Sequence, residues 1–484
     1  MNRIFNIRQA NWWYPLLLLL VNVISKSLFL TRQDIGLDEP FSIYHAQFNV
    51  GTIIAQLKNY NNPPLFELLL HGWIGCFGIS ALSVRIFPIL FASLAPVALY
   101  YFGRRFFSFS VGVAGSLLLS ASSLLIWYAH DCRVYSLFLL LSILSAHFFM
   151  ALLQESKSSF KAAGLFVFFS TLLVYAHYFG AFILAFEGIY ALLFHRPLLK
   201  RVIACYFALL LLYAPHLYVM LQRMSDSVAH GTWLKAPEGI GSLYNMLWAF
   251  SNAPVITVLC LLILVAAFIK YLVTKHDRPQ QTTVLLIIWF FAAYLGMFLL
   301  SYRIPMYISR YLIFVLPAYY LLLAIAVGHL FSNTRLRTIA LGVLIVGFAG
   351  SADYHPDKKQ KVSVGVDVIK QLKDSSTLVL ACPHDFLPAF AYYYNRAYFA
   401  SVADQREYHL TGSLLKKENV YVINEPLELG YINLSAFNKI IYFGNGEEQA
   451  SPHNPVLQAL HQQFHEVRHE RFNSSYSLTL LQRN

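Results

Sequence analysis

The sequence predicts a polytopic α-helical membrane protein of about eleven spans, with outer juxtamembrane helices and a small C-terminal α/β soluble domain. Three observations support this prediction. Of the 484 residues, 57% are hydrophobic and 12% are charged, which is too apolar for a soluble chain of this size. Apolar runs of about 20 residues, the length of a bilayer crossing, recur through the first three quarters. Beyond residue 350 the apolar runs shorten to strand length.

The charge balance and the cysteines exclude several protein classes. The 36 Lys and Arg residues outnumber the 24 Asp and Glu residues, for a formal charge of +12. Cytoplasmic membrane loops gather Lys and Arg, so the basic excess indicates topology and no nucleic-acid partner. The cysteines form no CxxC pair and no paired spacing with histidines, so the sequence indicates neither a zinc site nor a disulfide framework. They are Cys76, Cys132, Cys205, Cys260 and Cys382.

The basic clusters set the orientation of the spans, because apolar sequence sufficient for two crossings separates each cluster from the next. These clusters are Arg3/Arg8, Arg104/Arg105, Lys157/Lys161, Arg196/Lys200/Arg201, Lys270/Lys275/Arg278 and Arg335/Arg337. The predicted spans are Trp12–Leu30, Ala81–Gly103, Val111–Trp127, Val134–Leu153, Ala162–Ala176, Phe179–Phe194, Val202–Leu221, Ala253–Leu272, Thr282–Leu300, Tyr311–Leu330 and Thr338–Gly350. The N-terminus is then cytoplasmic and the C-terminal tail outside. The first stretch is too long for a signal-peptide core, so it is expected to remain as a span.

One apolar stretch, residues 64–80, does not fit this alternation. It carries Glu67 and His71, whose spacing of four residues places both on one helical face. If it were counted as a span, every later basic cluster would fall on the outer side of the membrane. We therefore predict an amphipathic helix along the outer surface, and the same for residues 41–57.

The C-terminal segment is expected to form a separate domain, which divides the chain into residues 1–350 and 351–484. Predicted strands are Thr377–Cys382, Val420–Ile423, Ile440–Phe443 and Leu478–Leu480, with helices at Val362–Leu372 and Val456–Phe464. The segment has no glycine-rich phosphate loop. This argues against an enzyme that uses a nucleotide sugar.

Chemistry-bearing residues collect in the predicted outer connections. Asp38 and Glu39 follow the first span, where a carboxylate can take a proton from an acceptor hydroxyl or amine. Arginine suits a lipid-borne phosphate because its planar fork makes bidentate contacts. The other candidates in these connections are Asp131, Arg133, His177, Arg303 and Arg310.

Each of these residues also has a plainer interpretation. An acidic pair in an outer loop is usually a solvated turn. Arginines at span ends commonly extend to lipid headgroups, and His177 lies between tyrosines typical of an interfacial belt. Glu187, within the sixth predicted span, requires a partner. The shared side and depth of the candidates favour the functional interpretation.

Several motifs, in their order along the chain, resemble the N-terminal half of membrane glycosyltransferases of the C superfamily, bacterial relatives of the dolichyl-phosphate-mannose protein mannosyltransferases and of the lipid A aminoarabinose transferase. The resemblance covers about the first 330 residues. The motifs are Leu37-Asp38-Glu39, Asn62-Pro63-Pro64-Leu65, Ser83-Val84-Arg85-Ile86-Phe87-Pro88, Gly103-Arg104-Arg105-Phe106-Phe107, Tyr128-Ala129-His130-Asp131-Cys132-Arg133-Val134-Tyr135, Tyr175-Ala176-His177-Tyr178-Phe179-Gly180 and Ser309-Arg310-Tyr311-Leu312.

The resemblance implies that Asp38 is the catalytic carboxylate, with Glu39 beside it, and that the donor is a sugar on a polyprenyl phosphate held by Arg133 and Arg310. It implies inverting transfer to an unidentified lipid, glycan or protein acceptor at the outer face of a bacterial inner membrane. No cofactor is required, and relatives that hold a divalent ion leave room for one beside Asp38. Asp131 and His130 stand where the family usually has Glu and Gln. The remaining expected substrate-binding residues are Glu67, His71, Asp131, His177 and Arg303.

Two other functions share parts of this pattern. A transporter of lipid-linked glycans needs polar residues along a path through the bilayer, whereas the ionisable residues here collect at the outer edge. A polysaccharide polymerase or ligase shares the donor chemistry but does not require an acidic pair after the first span.

Overall fold

The computed structural model describes residues 12–36, 38–60, 62–154, 160–274, 280–356, 361–402, 408–446, 454–472 and 476–484. Leu37 and the basic residues Arg3, Arg8, Lys157, Lys275 and Arg278 lie outside these ranges. The chain forms two compact units. Unit 1 comprises Met1–Leu28, Gln56–Phe66 and Arg85–Pro356, and unit 2 comprises Phe29–Ala55, Glu67–Val84 and Asp357–Asn484. The predicted domain boundary at residue 350 stays a prediction.

The chain up to residue 350 is helical wherever it has regular structure in the described ranges. Its α-helices are α1 (Trp13–Ser27), α2 (Glu39–His45), α3 (Val50–Leu57), α4 (Leu65–Phe77), α5 (Ala81–Phe106), α6 (Phe109–Ser120), α7 (Ser123–Ala129), α8 (Tyr135–Gln154), α9 (Phe160–Ala176), α10 (Gly180–Phe194), α11 (Leu199–His230), α12 (Gly241–Ser251), α13 (Pro254–Val273), α14 (Gln281–Ile287), α15 (Ala293–Leu300), α16 (Leu316–Leu330) and α17 (Thr334–Gly350).

Six helical stretches among the described residues are long and apolar enough to cross a membrane, or seven if the bent pair α6–α7 is one span. The six are Ala81–Phe106, Tyr135–Gln154, Arg196–His230, Pro254–Val273, Gln281–Leu300 and Ile313–Leu330. Helices α1, α4, α9 and α10 are apolar but shorter. The prediction of a helical membrane protein is confirmed, and the count of eleven spans is not.

The predicted span Val111–Trp127 is bent by 57° between α6 and α7. Asn252, which follows α12, holds the bend: its amide nitrogen donates to the Ala121 carbonyl at 2.7 Å, and its side-chain oxygen accepts from the Ser123 N–H at 2.8 Å. Ser122 also caps α7 by accepting from the Leu125 N–H. A distant residue thus satisfies the backbone groups that a break inside an apolar run exposes.

Helices α5 and α6 approach closely at Gly103 and Gly112. A Cβ on Gly103 would lie 2.7 Å from the Gly112 Cα, which no side chain tolerates. In a bilayer the hydrophobic effect does not drive helices together, so close backbone packing at small residues stabilises such a crossing.

Glu187 on α10 has a hydrogen-bond partner on the neighbouring helix α8. It is buried, and its Oε1 accepts from Ser145 Oγ on α8 at 3.1 Å, while Ser145 also hydrogen-bonds Ser170 on α9 at 2.9 Å. The Ser145 hydroxyl therefore supplies the partner that a carboxyl group in an apolar helix requires.

The C-terminal segment contains a five-stranded sheet in the order β2-β1-β3-β5-β4. Strand β1 pairs in parallel with β2 and β3, whereas β5 pairs antiparallel with β3 and β4. The elements are β1 (Thr377–Cys382), β2 (Val420–Val422), β3 (Lys439–Asn445), β4 (Phe464–Arg471), β5 (Tyr476–Arg483), α18 (Val362–Leu372), α19 (Leu387–Tyr394), α20 (Arg396–Phe399), α21 (His409–Lys416) and α22 (Pro455–Leu460).

The predicted strands and the helix Val362–Leu372 are confirmed, but the predicted helix Val456–Phe464 is wrong at its end. The helix stops at Leu460, and Phe464 begins strand β4, which the sequence did not indicate. Within β4 only Phe464 is buried, and a bulge lies between Glu466 and Arg468. An exposed polar edge strand lacks the apolar pattern by which strands are recognised.

Two N-terminal segments pack with the C-terminal segment inside unit 2. The Asp34 carboxylate accepts from the Ser363 N–H at 2.7 Å and from its hydroxyl at 2.9 Å. The Ile35 N–H donates to the Tyr393 hydroxyl, and Tyr392 donates to the Ile79 carbonyl. Residues just before Asp38 in the sequence, and the stretch after α4, are thereby tied to the region that carries the sheet.

Candidate active site

The nine candidate residues fall into two sets, one in each unit. Unit 2 contains Asp38, Glu39, Glu67 and His71, and unit 1 contains Asp131, Arg133, His177, Arg303 and Arg310. We call Asp38, Glu39 and Glu67 the carboxylate group. We call Arg133, His177 and Arg310 the arginine group.

Asp38 and Glu39 differ in exposure. Asp38 is the residue before α2 and is partly exposed, and its side chain does not cap the helix. Glu39 is the first residue of α2 and only 1% exposed. The backbone at Asp38 is helical, with φ −84° and ψ −8°. Pro40 in the first turn explains why the helix begins here.

Glu67 lies at the start of α4 and faces α2. It is 2% exposed, and its Oε1 accepts from Ser42 Oγ at 2.7 Å. Its Oε2 is buried and has no hydrogen-bond partner among the described residues. Sequence reasoning did not single out Ser42, since one serine in an amphipathic helix carries no distinguishing signal.

His71, one turn after Glu67 on α4, bonds the end of the same helix. Its Nδ1 lies 2.8 Å from the Ala46 carbonyl oxygen. A carbonyl only accepts, so Nδ1 carries the proton and Nε2 is the ring's open position when neutral. Glu67 and His71 therefore both turn toward residues 42–46.

Arg133 and Asp131 lie in the turn between α7 and α8. Arg133 is 7% exposed and Asp131 is partly exposed. His130 anchors this turn, because its Nε2 donates to the Lys26 carbonyl of α1 at 2.7 Å. Lys26, buried on α1 and bonded to Asn22 at 2.5 Å, is a polar element of the first predicted span that sequence reasoning missed.

Arg310 is surrounded by aromatic rings. Its guanidinium carbon lies 5.0 Å from the ring centre of Trp233, 5.5 Å from that of Tyr311 and 6.0 Å from that of Tyr135. These separations suit cation–π attraction. Trp233 belongs to the segment after α11, which Thr232 ties to the Pro305 carbonyl at 2.7 Å. Only tertiary structure brings Trp233 here, so no sequence signal indicated it.

His177 lies in the turn between α9 and α10 and is 3% exposed. Burial, followed by the positive charges of Arg133 and Arg310, lowers the pKa of His177 to about 3. Both causes disfavour the protonated ring, so His177 is neutral near pH 7. The structure thus brings Arg133, His177 and Arg310 together.

Arg303 does not join this group. It is exposed in the turn after α15, and its side chain makes no hydrogen bond or ion pair with a described residue. Its assignment to substrate binding stays a prediction.

Metal-ligating side chains do not cluster among the described residues, where no group of three or more His, Cys, Asp or Glu could hold a metal ion. A divalent ion beside Asp38 stays a prediction, and we derive no step through one. What the arrangement offers chemically is a set of carboxylates in one unit and a set of cations around a neutral imidazole in the other.

Comparisons with known proteins agree with the predicted resemblance. A family model described as dolichyl-phosphate-mannose-protein mannosyltransferase matches residues 61–219. No curated protein matches the chain significantly in sequence.

Solved structures share the fold at low sequence identity. ArnT from Cupriavidus metallidurans, in a crystal structure bound to undecaprenyl phosphate, aligns with a TM-score of 0.62 at 12% identity, over 97% of this chain and 98% of that one. The Archaeoglobus fulgidus oligosaccharyltransferase AglB, in complex with an inhibitory peptide and a dolichol-phosphate, aligns with a TM-score of 0.55 at 10% identity, over 96% and 74%. The same organism's oligosaccharyltransferase in complex with Zn and sulfate gives 0.53 at 12%, over 93% and 71%.

The order of motifs, the family match over residues 61–219 and the shared fold agree with one another. The chain therefore resembles the dolichyl-phosphate-mannose protein mannosyltransferases over residues 61–219, and it shares its fold with ArnT and AglB.

Proposed function

We propose that this protein transfers a sugar from a polyprenyl-phosphate donor to an acceptor hydroxyl or amine at the outer face of a bacterial inner membrane. The arginine group carries the proposal. The positive charges of Arg133 and Arg310 both act on the buried imidazole of His177, and all three residues lie in turns between apolar helices. Permanently charged, bidentate donors at the end of apolar helices suit a phosphate whose hydrocarbon chain lies in the bilayer.

The proposed reaction is a single displacement. Asp38 accepts the proton of the acceptor, and the acceptor atom forms a bond to the anomeric carbon. The bond from that carbon to the phosphate oxygen breaks, and polyprenyl phosphate leaves with the electron pair. One displacement inverts the anomeric configuration, and Arg133 and Arg310 stabilise the charge that develops on the leaving phosphate.

The other candidates have supporting roles in this proposal. Glu39 and Glu67 orient the Asp38 segment and the acceptor, and the Ser42–Glu67 hydrogen bond supports this for Glu67. His71, Asp131 and His177 contact substrate. Arg303 contacts lipid phosphates at the membrane surface, in keeping with its exposure.

We further propose eleven spans, with the N-terminus cytoplasmic and the C-terminal domain periplasmic. The hydrogen bonds of Asp34 to Ser363 and of Ile35 to Tyr393 support this. Segments that bond each other in one compact unit lie on one side of the membrane, so the chain between them crosses an even number of times. Of the eleven predicted spans, ten lie between the first span and residue 351, and this even number satisfies the condition.

Cysteine labelling tests this topology. In a variant without its five native cysteines, we expect Tyr431→Cys, at a 90% exposed position, to react with a membrane-impermeant maleimide from outside the cell. We expect Arg335→Cys to react only after the membrane is opened. The reverse pattern would overturn the proposed orientation.

Sugar transfer is tested with the purified full chain in nanodiscs. We expect it to convert a polyprenyl-phosphate sugar into polyprenyl phosphate and glycosylated acceptor, with inversion seen by NMR of the product linkage. Candidate acceptors come from mass spectrometry of lipid A, surface glycans and periplasmic proteins with and without the gene. A protein that moves intact donor across vesicles without cleaving it would instead be the lipid-linked glycan transporter.

A further inference from the structure

The ring of His177 is held in one orientation. It stacks on Phe138 with ring centres 4.6 Å apart and planes 17° from parallel. Its Nδ1 accepts the Phe179 backbone N–H at 3.2 Å. Because this bond occupies the Nδ1 lone pair, the neutral ring carries its proton on Nε2.

The opposite edge of the same ring has no hydrogen-bond partner. The residue is 3% exposed, and Nε2 is buried without a partner among the described residues. Buried polar atoms are nearly always hydrogen-bonded, so an orphaned donor needs an explanation such as a ligand. The stacking on Phe138 and the hydrogen bond at Nδ1 therefore fix the direction of the Nε2–H, and a bound ligand would supply its acceptor.

The charges around His177 indicate which kind of ligand could accept from its Nε2–H. The charged groups that act on His177 are Arg133, from the turn before α8, and Arg310, from the segment before α16. The other titratable groups packed against the ring are Tyr135 and Tyr311, with ring centres at 6.4 Å and 5.6 Å. Two cations and one neutral donor suit an anion with several acceptor oxygens.

We propose that the neutral Nε2–H of His177 donates a hydrogen bond to a phosphate oxygen of the lipid carrier, in both the sugar-linked donor and the released product. This inference rests on the proposed function and adds an uncharged, orientation-fixed donor to the contacts of the two arginines. In this role His177 acts as a neutral donor, in keeping with the burial and the two arginine charges that lower its pKa.

A plainer role for His177 is to hold the turn by accepting the Phe179 N–H. Three substitutions separate the two roles. The amide of His177→Gln reaches about as far as Nε2 and can donate there, the shorter amide of His177→Asn can replace only Nδ1, and His177→Phe keeps a ring with neither nitrogen. The readout is affinity for undecaprenyl phosphate of the full chain in nanodiscs, with undecaprenol as the probe that lacks phosphate.

We expect His177→Phe and His177→Asn to weaken undecaprenyl phosphate binding by about 10- to 100-fold, the range for a hydrogen bond to a charged group. We expect His177→Gln to retain most of the affinity. Undecaprenol should bind all four proteins equally. The ratio of wild-type to His177→Phe affinity should stay constant between about pH 5.5 and pH 8, because a neutral donor does not titrate there. The phosphate of the lipid titrates in the same way in both measurements, so its titration cancels in the ratio.

Rescue by Asn and not by Gln would assign His177 to the turn and overturn the inference, as would undiminished binding by His177→Phe. If His177→Phe does not fold, the comparison of Gln with Asn still decides. A wild-type protein that binds undecaprenol as tightly as undecaprenyl phosphate would instead overturn the proposed function itself.

Discussion

The carboxylate group and the arginine group are set in different kinds of structure. Glu39 and Glu67 lie in the first turns of short helices, and a serine hydroxyl bonds Glu67 directly. The arginine group lies in turns between long apolar helices, where its neighbours are rings: Phe138 stacks on His177, and Trp233 faces Arg310. A hydrogen bond thus orients Glu67, whereas aromatic rings pack against His177 and Arg310.

This difference indicates a division of labour. A carboxylate placed by short polar contacts suits proton acceptance, which acts in the transition state. A guanidinium placed against ring faces, as in Arg310, suits a bound anion because cation–π contact positions its charge. Changes in the carboxylate group should therefore lower turnover, and changes in the arginine group should weaken donor binding.

The largest expected effect is that of Asp38→Asn. The amide keeps the shape but cannot accept the proton, so turnover should fall by about two to four orders of magnitude while donor binding survives. Single-turnover transfer and undecaprenyl phosphate affinity, measured on the same preparation, check this. Near-normal turnover would remove Asp38 from the mechanism and with it the contrast between the two groups.

Next in size are Arg133→Ala and Arg310→Ala. Each should weaken donor binding by about 10- to 100-fold, since a charge-assisted contact to phosphate contributes about 1.5–3 kcal/mol. Arg303→Ala is the matched control: it removes the same charge from an exposed position outside the group and should change affinity by less than about threefold. Equal losses in all three variants would indicate a general surface-charge effect.

The sequence predicts some elements well for physical reasons. Strand β1 matches its prediction because all six of its residues are buried, which leaves a continuous apolar run. Helix α18 matches because its buried residues Val362, Val366 and Ile369 recur at helical spacing. Strand β4 was missed because its exposed polar residues carry no such pattern. The bend after α6 was missed because it depends on Asn252, which lies about 130 residues away in the sequence.

The candidate site divides in the same way. Arg133, His177 and Arg310 were predicted from their places at the ends of apolar runs, and the structure brings them together. The same signal selected Arg303, which is exposed, because a residue's place at the end of an apolar run does not specify which way its side chain points. Trp233 and Ser42 were not predicted, since their contacts with Arg310 and Glu67 arise from tertiary packing.

A smaller effect is expected for Glu39→Gln and Glu67→Gln. Glutamine keeps the oxygen that accepts from Ser42 and removes only the charge, so turnover should fall by less than about tenfold if both residues orient the segment. Glu67 is the main rival to Asp38 as the base, since its Oε2 has no partner among the described residues. A loss in Glu67→Gln as large as that in Asp38→Asn, with donor affinity intact, would transfer the role of base to Glu67.

The smallest expected effect is that of Trp233, and it tests whether aromatic placement of the cations matters. Trp233 is 65% exposed yet lies over the Arg310 guanidinium at 5.0 Å. A cation–π contact at an exposed site contributes about 0.5–1 kcal/mol, so Trp233→Leu should weaken undecaprenyl phosphate binding by about two- to fivefold. Trp233→Phe keeps a ring face and should recover part of that loss.

The effect of Trp233→Leu should also vanish in an Arg310→Ala background, because the ring acts through the guanidinium. A double-mutant cycle measures this coupling. Additive losses in that cycle would mean that Trp233 contacts the lipid directly, and aromatic neighbours would then be part of the binding surface instead of supports for the arginines.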